Sequence, residues 1–317
     1  MPSGELCVVG LGGNSIIPAH GAADIEAQRA LARTTMAQVA AQVGRGVRVV
    51  LTHGNGPIIG NIALRNEAMA HEIPPMPLDI CGADSQGGIG YMVQQALQNA
   101  LARAGVRREV VTVITQVEVG ADDPAFRAPS KPIGPFYTPV QAERLGREKG
   151  WALKEDAGRG WRRLVPSPRP LRIVEIGVIR ALVDAEVIVN CVGGGGVPVV
   201  RRGGEWVGVE AVVDKDHAAV LLGTQLRAER LILLTGVETV MRGFGTPAAA
   251  PLHRIDREEA EALLAAGEFP AGSMGPKIRA ALDFLAAGGV EAIITDPEHL
   301  SAALAGTTGT RIGVSCA

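Results

Sequence analysis

Five lysines stand among 31 basic residues, all the others being arginine, and three of them fall in segments built of glycine, proline and aspartate. Lys131 lies in SKPIGPFY (130–137), Lys215 in VVDKDHAA (212–219) and Lys277 in GSMGPKI (272–278). A lysine ammonium is a compact charge on a flexible stem that can follow a moving phosphoryl oxygen, whereas arginine's planar fork holds one bidentate geometry. Phosphoryl transfer asks a protein chiefly to position its reactants and neutralise spreading negative charge. These three lysines are therefore candidates for that chemistry. Lys149 and Lys154, on either side of Trp151 in REKGWALKED, read as solvated surface charges.

The immediate contexts support this reading. Lys215 sits between Asp214 and Asp216 at a predicted helix start. An aspartate N-cap there contributes roughly 1 kcal/mol to the helix on its own account, and Asp214 can both cap the helix and orient lysine side chains. The Gly-Pro pair of GSMGPKI opens another predicted helix and places Lys277 near its positive end, an unfavourable position for a lone cation. An anionic ligand accounts for that lysine better than helix stability does.

Three glycine-rich turns follow directly on predicted strands: GLGGNS (10–15), HGNGP (53–57) and GGGG (193–196). Glycine at a strand–helix junction is most often steric. Three such turns at one sheet edge, however, bring backbone N–H groups and helix N-termini to the place where parallel α/β sheets bind phosphates. The GxxxxGK[ST] and GxGxxG patterns are missing, so any phosphate cradle uses another geometry.

These residues need a frame. Strands are predicted at 6–10, 47–53, 109–117, 186–192, 230–236, 291–296 and 311–315, and helices at 23–44, 58–70, 84–104, 214–227, 256–266 and 275–288. Short apolar strands alternating with amphipathic helices predict a three-layer α/β/α sandwich around a mostly parallel sheet. Residues 120–170 break the alternation. They are rich in proline, glycine and charge around one short amphipathic helix, yet hold five of the chain's ten aromatics. An inserted protruding subdomain, acting as a lid, is expected there.

Composition removes several function classes. A net charge of −2 makes no electrostatic case for nucleic acid or anionic membrane, and 3% aromatics leaves little for base-stacking surfaces. The four cysteines lack CxxC spacing and the six histidines lack HExxH, so no metal ligand set is predicted. Unpaired cysteines, no leader-like N-terminus and no membrane-length apolar run make a cytoplasmic protein the expectation.

The ordered motifs LGGN (11–14), HGNGP, GADSQGGIGY (82–91), KPIGPFY (131–137), EDAGRGWRR (155–163), GGGGVPV (193–199), GVEAVVDKD (208–216) and GSMGPKI resemble carbamate kinase, of the amino-acid kinase superfamily. The resemblance runs nearly end to end. It implies an eight-stranded central sheet, a homodimer, and reversible phosphoryl transfer between ATP and carbamate, giving ADP and carbamoyl phosphate, with Mg2+ carried by the nucleotide. It further implies that Gly12, Gly13, Asn14, Gly54, Asn55 and Gly56 hold carbamate and the transferred phosphoryl. Lys215, Lys277, Gly194, Gly195, Thr235, Met241 and Met274 would hold the nucleotide. Asp214 would organise the lysines, and Lys131 would swing in from the subdomain, replacing a lysine that many relatives carry where this chain has Gly10-Leu11. Three positions depart from the pattern: Ile58 stands where a glutamine is usual, Gly236 where an aspartate is, and Met241 where a tyrosine is. They keep two other readings open, a related kinase for another small carboxylate and a nucleotide-binding regulator without turnover.

Overall fold

Residues 4–16, 24–156, 158–270 and 272–313 are described in a computed structural model of the chain. The runs LCVVGL and RVVLTH form strands β1 (Leu6–Leu11) and β2 (Arg48–His53). The other strands of the same sheet are β3 (Val110–Thr112), β4 (Ile188–Asn190), β5 (Arg230–Leu234), β6 (Arg254–Ile255), β7 (Glu291–Thr295) and β8 (Thr310–Ile312). Their spatial order is β6-β8-β7-β5-β1-β2-β4-β3, eight strands in all. All neighbours are parallel except β7 and β8.

Alternation along the strands builds the three layers. Val8, Val50, Leu231 and Leu233 face one core with Leu222 and Phe284 of helices Lys215–Leu226 and Met274–Ala286. Their chain neighbours Val9, Leu51, Ile232 and Leu234 face the opposite core with Met36 and Leu97 of helices Ile25–Gly44 and Leu78–Arg103. A sheet buried on both faces needs this continuous apolar composition.

The structure departs from the sequence expectation at several elements. The run 109–117 is not one strand: β3 ends at Thr112, and Gln116–Val119 joins a separate four-stranded sheet with Pro170–Ile173, Val197–Arg202 and Glu205–Gly208. The break lies at buried Thr115, whose hydroxyl bonds the Val113 carbonyl at 2.8 Å and the Val192 amide at 3.0 Å. Strand Pro170–Ile173 and helix Ile176–Asp184 were not predicted. Helix Leu78–Arg103 begins six residues earlier than expected, directly after Pro77. Residue 23, residues 314–315 and Cys316 lie outside the described residues.

Residues 120–170 leave and rejoin the body through the antiparallel pair Gln116–Val119 and Pro170–Ile173. Within them Lys131–Tyr137, Trp161–Val165 and Ala152–Glu155 form a three-stranded antiparallel sheet, with helix Pro139–Lys149 started by a Thr138/Gln141 capping box. This unit docks on helix Gly56–Ala68, which follows the HGNGP turn. Glu67 of that helix pairs with Lys149, and both Lys149 and Arg163 lie over the Trp151 ring. The contact is closest at two glycines: a Cβ on Gly60 would stand 1.9 Å from Gly134 Cα. Backbone atoms on both sides leave nothing that could rotate away. Gly60→Ala is expected to destabilise the protein by about 1–3 kcal/mol through overpacking, and to raise proteolytic cleavage within 120–170. Unchanged denaturant midpoint and cleavage would contradict this packing.

Candidate active site

Lys215 is the first residue of helix Lys215–Leu226, and Asp214 caps that helix by accepting from the Asp216 amide at 2.9 Å. The cap turns Asp216 back across the first turn. One of its carboxylate oxygens accepts from Lys215 Nζ at 2.9 Å, and the other from Lys277 Nζ, also at 2.9 Å. Lys277 comes from the first turn of helix Met274–Ala286, so a single carboxylate ties two helix N-termini together. Lys131 reaches in from the inserted sheet and pairs with the other oxygen of Asp214.

The cluster is largely withdrawn from water, with only 7% of the Asp216 side chain and 11% of the Lys277 side chain exposed. Burial alone would raise the Asp216 carboxyl pKa, but Lys215 and Lys277 more than offset it and hold the group far below the usual carboxylate range. Burial likewise works to raise that of Asp214, and Lys131 turns the shift downward. For Lys215 burial favours the neutral amine, yet Asp216 and Asp214 reverse this and raise its pKa. Lys277 goes the other way: burial and repulsion from Lys215 bring it down to about 8 despite Asp216. Three ammonium groups facing two carboxylates leave one uncompensated positive charge, directed at the space an anion would fill.

That space is a cavity of about 470 Å³ beyond the carboxyl ends of β1 and β5. Among the predicted site residues Gly12, Gly13, Lys131, Asp214, Lys215, Thr235, Met241, Met274 and Lys277 line it. Gly236 lines it too, whereas Ile58 turns aside to pack against the apolar core. Asn14 belongs to the turn Gly13–Ser15, and its side chain lies outside what is described. Gly54 meets the site through Lys215, because a Cβ there would stand 2.8 Å from Lys215 Cδ. Gly56, Asn55, Gly194 and Gly195 are not on the cavity wall. Gly56 opens its helix, while buried Asn55 donates to Ser85 Oγ at 2.8 Å. Gly194, at φ +66°, passes so close that a Cβ would be 2.1 Å from Asn55 Nδ2. Gly195 lies against the Val213 carbonyl, just ahead of Asp214.

A polar scaffold supports these turns from beneath. Gln86 bonds Thr115 twice, accepting from its amide at 2.8 Å and donating to its carbonyl at 3.0 Å. Thr115 and Thr52 hydroxyls hold the amide and carbonyl of Val192, at 3.0 Å each. Val192 needs the support, since φ +54° is a strained conformation for a β-branched residue. Burial lowers the His53 pKa to about 4, so its ring is neutral under the HGNGP and GGGG turns at pH 7.

Sequence reasoning assigned no task to Asp216 and gave the organising of all the lysines to Asp214. The geometry divides that work: Asp214 holds Lys131 and the helix start, and Asp216 holds Lys215 and Lys277. The D-x-D spacing around Lys215 carried the signal, because a helix cap at the first acid leaves the second free to face inward. Phe244 and Phe269, also on the cavity wall, were missed, since neither stands in a recognisable motif. Among the described residues no group of three or more His, Cys, Asp or Glu side chains is placed to hold a metal ion.

The eight-stranded α/β/α frame agrees with the comparisons. A family model described as the amino acid kinase family matches residues 5–296. The chain belongs to that family. Within it the likeness is to carbamate kinases: that of Pyrococcus horikoshii is 47% identical over 310 residues, spanning 97% of this chain and 99% of the relative. Carbamate kinase from Giardia lamblia bound to citric acid superimposes with a TM-score of 0.93 at 44% identity, covering 98% of this chain and 99% of the other. The same Giardia enzyme bound to AMP-PNP gives 0.90 at 44% identity, with the same coverage.

The lowered Lys277 pKa has a pH consequence. Only the protonated amine attracts phosphate oxygens, so the affinity of the free protein for MgADP is expected to fall as pH rises through about 8. Calorimetric titrations between pH 7 and 9 check this, and a constant affinity across that range would contradict the assignment.

Proposed function

We propose that this chain is a phosphotransferase acting on a carboxylate, catalysing ATP + carbamate = ADP + carbamoyl phosphate. The observation that carries the reading is the convergence of Lys131, Lys215 and Lys277 at one end of a cavity bounded by the glycine turn after β1. The named relatives, including one bound to an ATP analogue, agree with it.

The chemistry needs no proton transfer. A carbamate oxygen, already anionic, forms a bond to the γ-phosphorus while the bond from that phosphorus to the β-phosphate oxygen breaks. Negative charge moves from nucleophile to leaving group through the equatorial oxygens, and preorganised cations along that path stabilise the transition state. Lys215, beside the Gly54 turn, is placed for the phosphoryl in flight, and Lys277 for the nucleotide phosphates. Gly12 and Gly13 offer backbone on the substrate side, with Asn14, Asn55 and Gly56 completing that side. Gly194 and Gly195 act from beneath by positioning Asn55 and the start of the Asp214 segment. Mg2+ enters as part of the nucleotide.

Residues 120–170 serve as a lid. Lys131 sits on its first strand, and exchanging Asp214 for a phosphoryl oxygen is the step that completes the site. An acyl phosphate gives up its phosphoryl to ADP readily, so ATP formation is the proposed direction. A homodimer and a cytoplasmic setting complete the reading; no described helix is long and apolar enough to cross a membrane.

Mixing the protein with MgADP and carbamoyl phosphate is expected to yield ATP, and a yield no higher than that of Lys215→Ala would overturn the assignment. Lys131→Ala is expected to lower kcat on the order of a hundredfold, the scale of losing one transition-state contact, with the KM for ADP little changed. An effect confined to that KM would show that Lys131 only binds nucleotide. Light scattering is expected to give the mass of two chains; a single-chain mass would remove the dimer.

A further inference from the structure

Two adjacent residues of helix Leu78–Arg103 hold two of the glycine turns from below. Gln86 fixes Val192 and the GGGG turn through Thr115. Ser85 fixes the HGNGP turn: its buried hydroxyl accepts from Asn55 Nδ2 at 2.8 Å and donates to the Gly82 carbonyl at 2.6 Å. The two turns meet where Gly194 lies on the Asn55 amide, so that side chain is gripped from both sides.

Asn55 stands at the N-cap of helix Gly56–Ala68. An asparagine there normally has extended backbone, and its side-chain oxygen accepts from the second or third helical amide. Neither feature is present. The Asn55 backbone is at φ −136° and ψ 3°, and its side chain makes no cap bond. The second helical residue is Pro57, which has no amide to offer, so a cap bond would fall to Ile58. Among the described residues the Gly56 and Ile58 amides have no acceptor. The helix therefore forgoes the stabilisation that its own asparagine could supply. The same turn passes Lys215, whose stem occupies the place of a side chain at Gly54. Uncapped donors beside a lysine are surroundings that an anionic oxygen would complete.

We propose that Ser85 is a positioning residue for phosphoryl transfer. By holding the Asn55 amide it keeps that side chain off the helix start, where the Gly56 and Ile58 amides stay open to an oxygen of carbamoyl phosphate. This rests on the phosphotransfer reading, which puts that substrate on the HGNGP turn. Ser85 touches no substrate and acts only through Asn55. A serine with a merely structural role would stabilise the fold without favouring one substrate over the other.

The test measures ATP formation in the parent, Ser85→Ala, Asn55→Ala and the double variant. Ser85→Ala is expected to lower kcat/KM for carbamoyl phosphate about tenfold to a hundredfold, the scale of a displaced substrate contact, with the KM for ADP unchanged. In the Asn55→Ala background the same substitution should cost nothing further, because the residue it acts through is gone. An equal loss in both backgrounds, or a lower thermal midpoint with unchanged kcat/KM, overturns the proposal. A parent that makes no ATP removes the phosphotransfer reading instead. Amide exchange, which needs no turnover, decides the role of Ser85 in either case. The Ile58 amide should exchange freely in the parent and about fivefold or more slowly in Ser85→Ala, the scale of one new cap bond. The double variant should exchange freely again. Equal exchange in the parent and Ser85→Ala overturns the claim that Ser85 holds Asn55 off the helix start.

Discussion

The site hangs on one buried carboxylate. Asp216 accepts from Lys215 and Lys277 through separate oxygens, and without it two ammonium groups would face each other in a setting nearly closed to water. Burying charge is costly, and removing one member of a buried ion cluster leaves the others uncompensated. Here the arrangement stays short of neutrality. Asp214 and Asp216 together balance two of the three lysines, and the last positive charge is available to an anion. A phosphoryl group therefore meets cations already in place, which spares reorganisation in the transition state.

Much of the remaining fold keeps that carboxylate where it is. The Asp214 cap sets the first turn of helix Lys215–Leu226, and the opposing core packs this helix beside Met274–Ala286. The absent side chain at Gly54 makes room for the Lys215 stem. Beneath the turns, Gln86, Thr115 and Thr52 hold Val192 in a strained conformation that lets the glycine run pass over Asn55. The inserted sheet is positioned by the Gly60–Gly134 contact and by Glu67, and it brings to the cluster the one lysine that the main sheet does not provide.

The frame could be read from the chain because buried parallel strands need continuous apolar runs, as in LCVVGL and RLILL, whose spacing alternates with helical periodicity. The cavity lysines could be read because this chain otherwise prefers arginine. Other features depended on tertiary packing. The split of residues 109–117 hinges on Thr115, whose partners Gln86 and Val192 lie far away in sequence. Helix Ile176–Asp184, only 9 residues long and following closely on strand Pro170–Ile173, was not predicted. Asp216 looked like an ordinary first-turn acid until Lys277, 61 residues on, was seen to share it.

The most direct test of the account is the pH–rate profile of Asp216→Asn in ATP formation. An amide can still hydrogen-bond but no longer stabilises the charge on Lys277, whose pKa already sits near 8. The account predicts a kcat lower on the order of a hundredfold, with the alkaline limb of kcat/KM for ADP displaced to lower pH. A variant that keeps its rate and its alkaline limb would contradict the claim that this carboxylate holds the two lysines charged and in place.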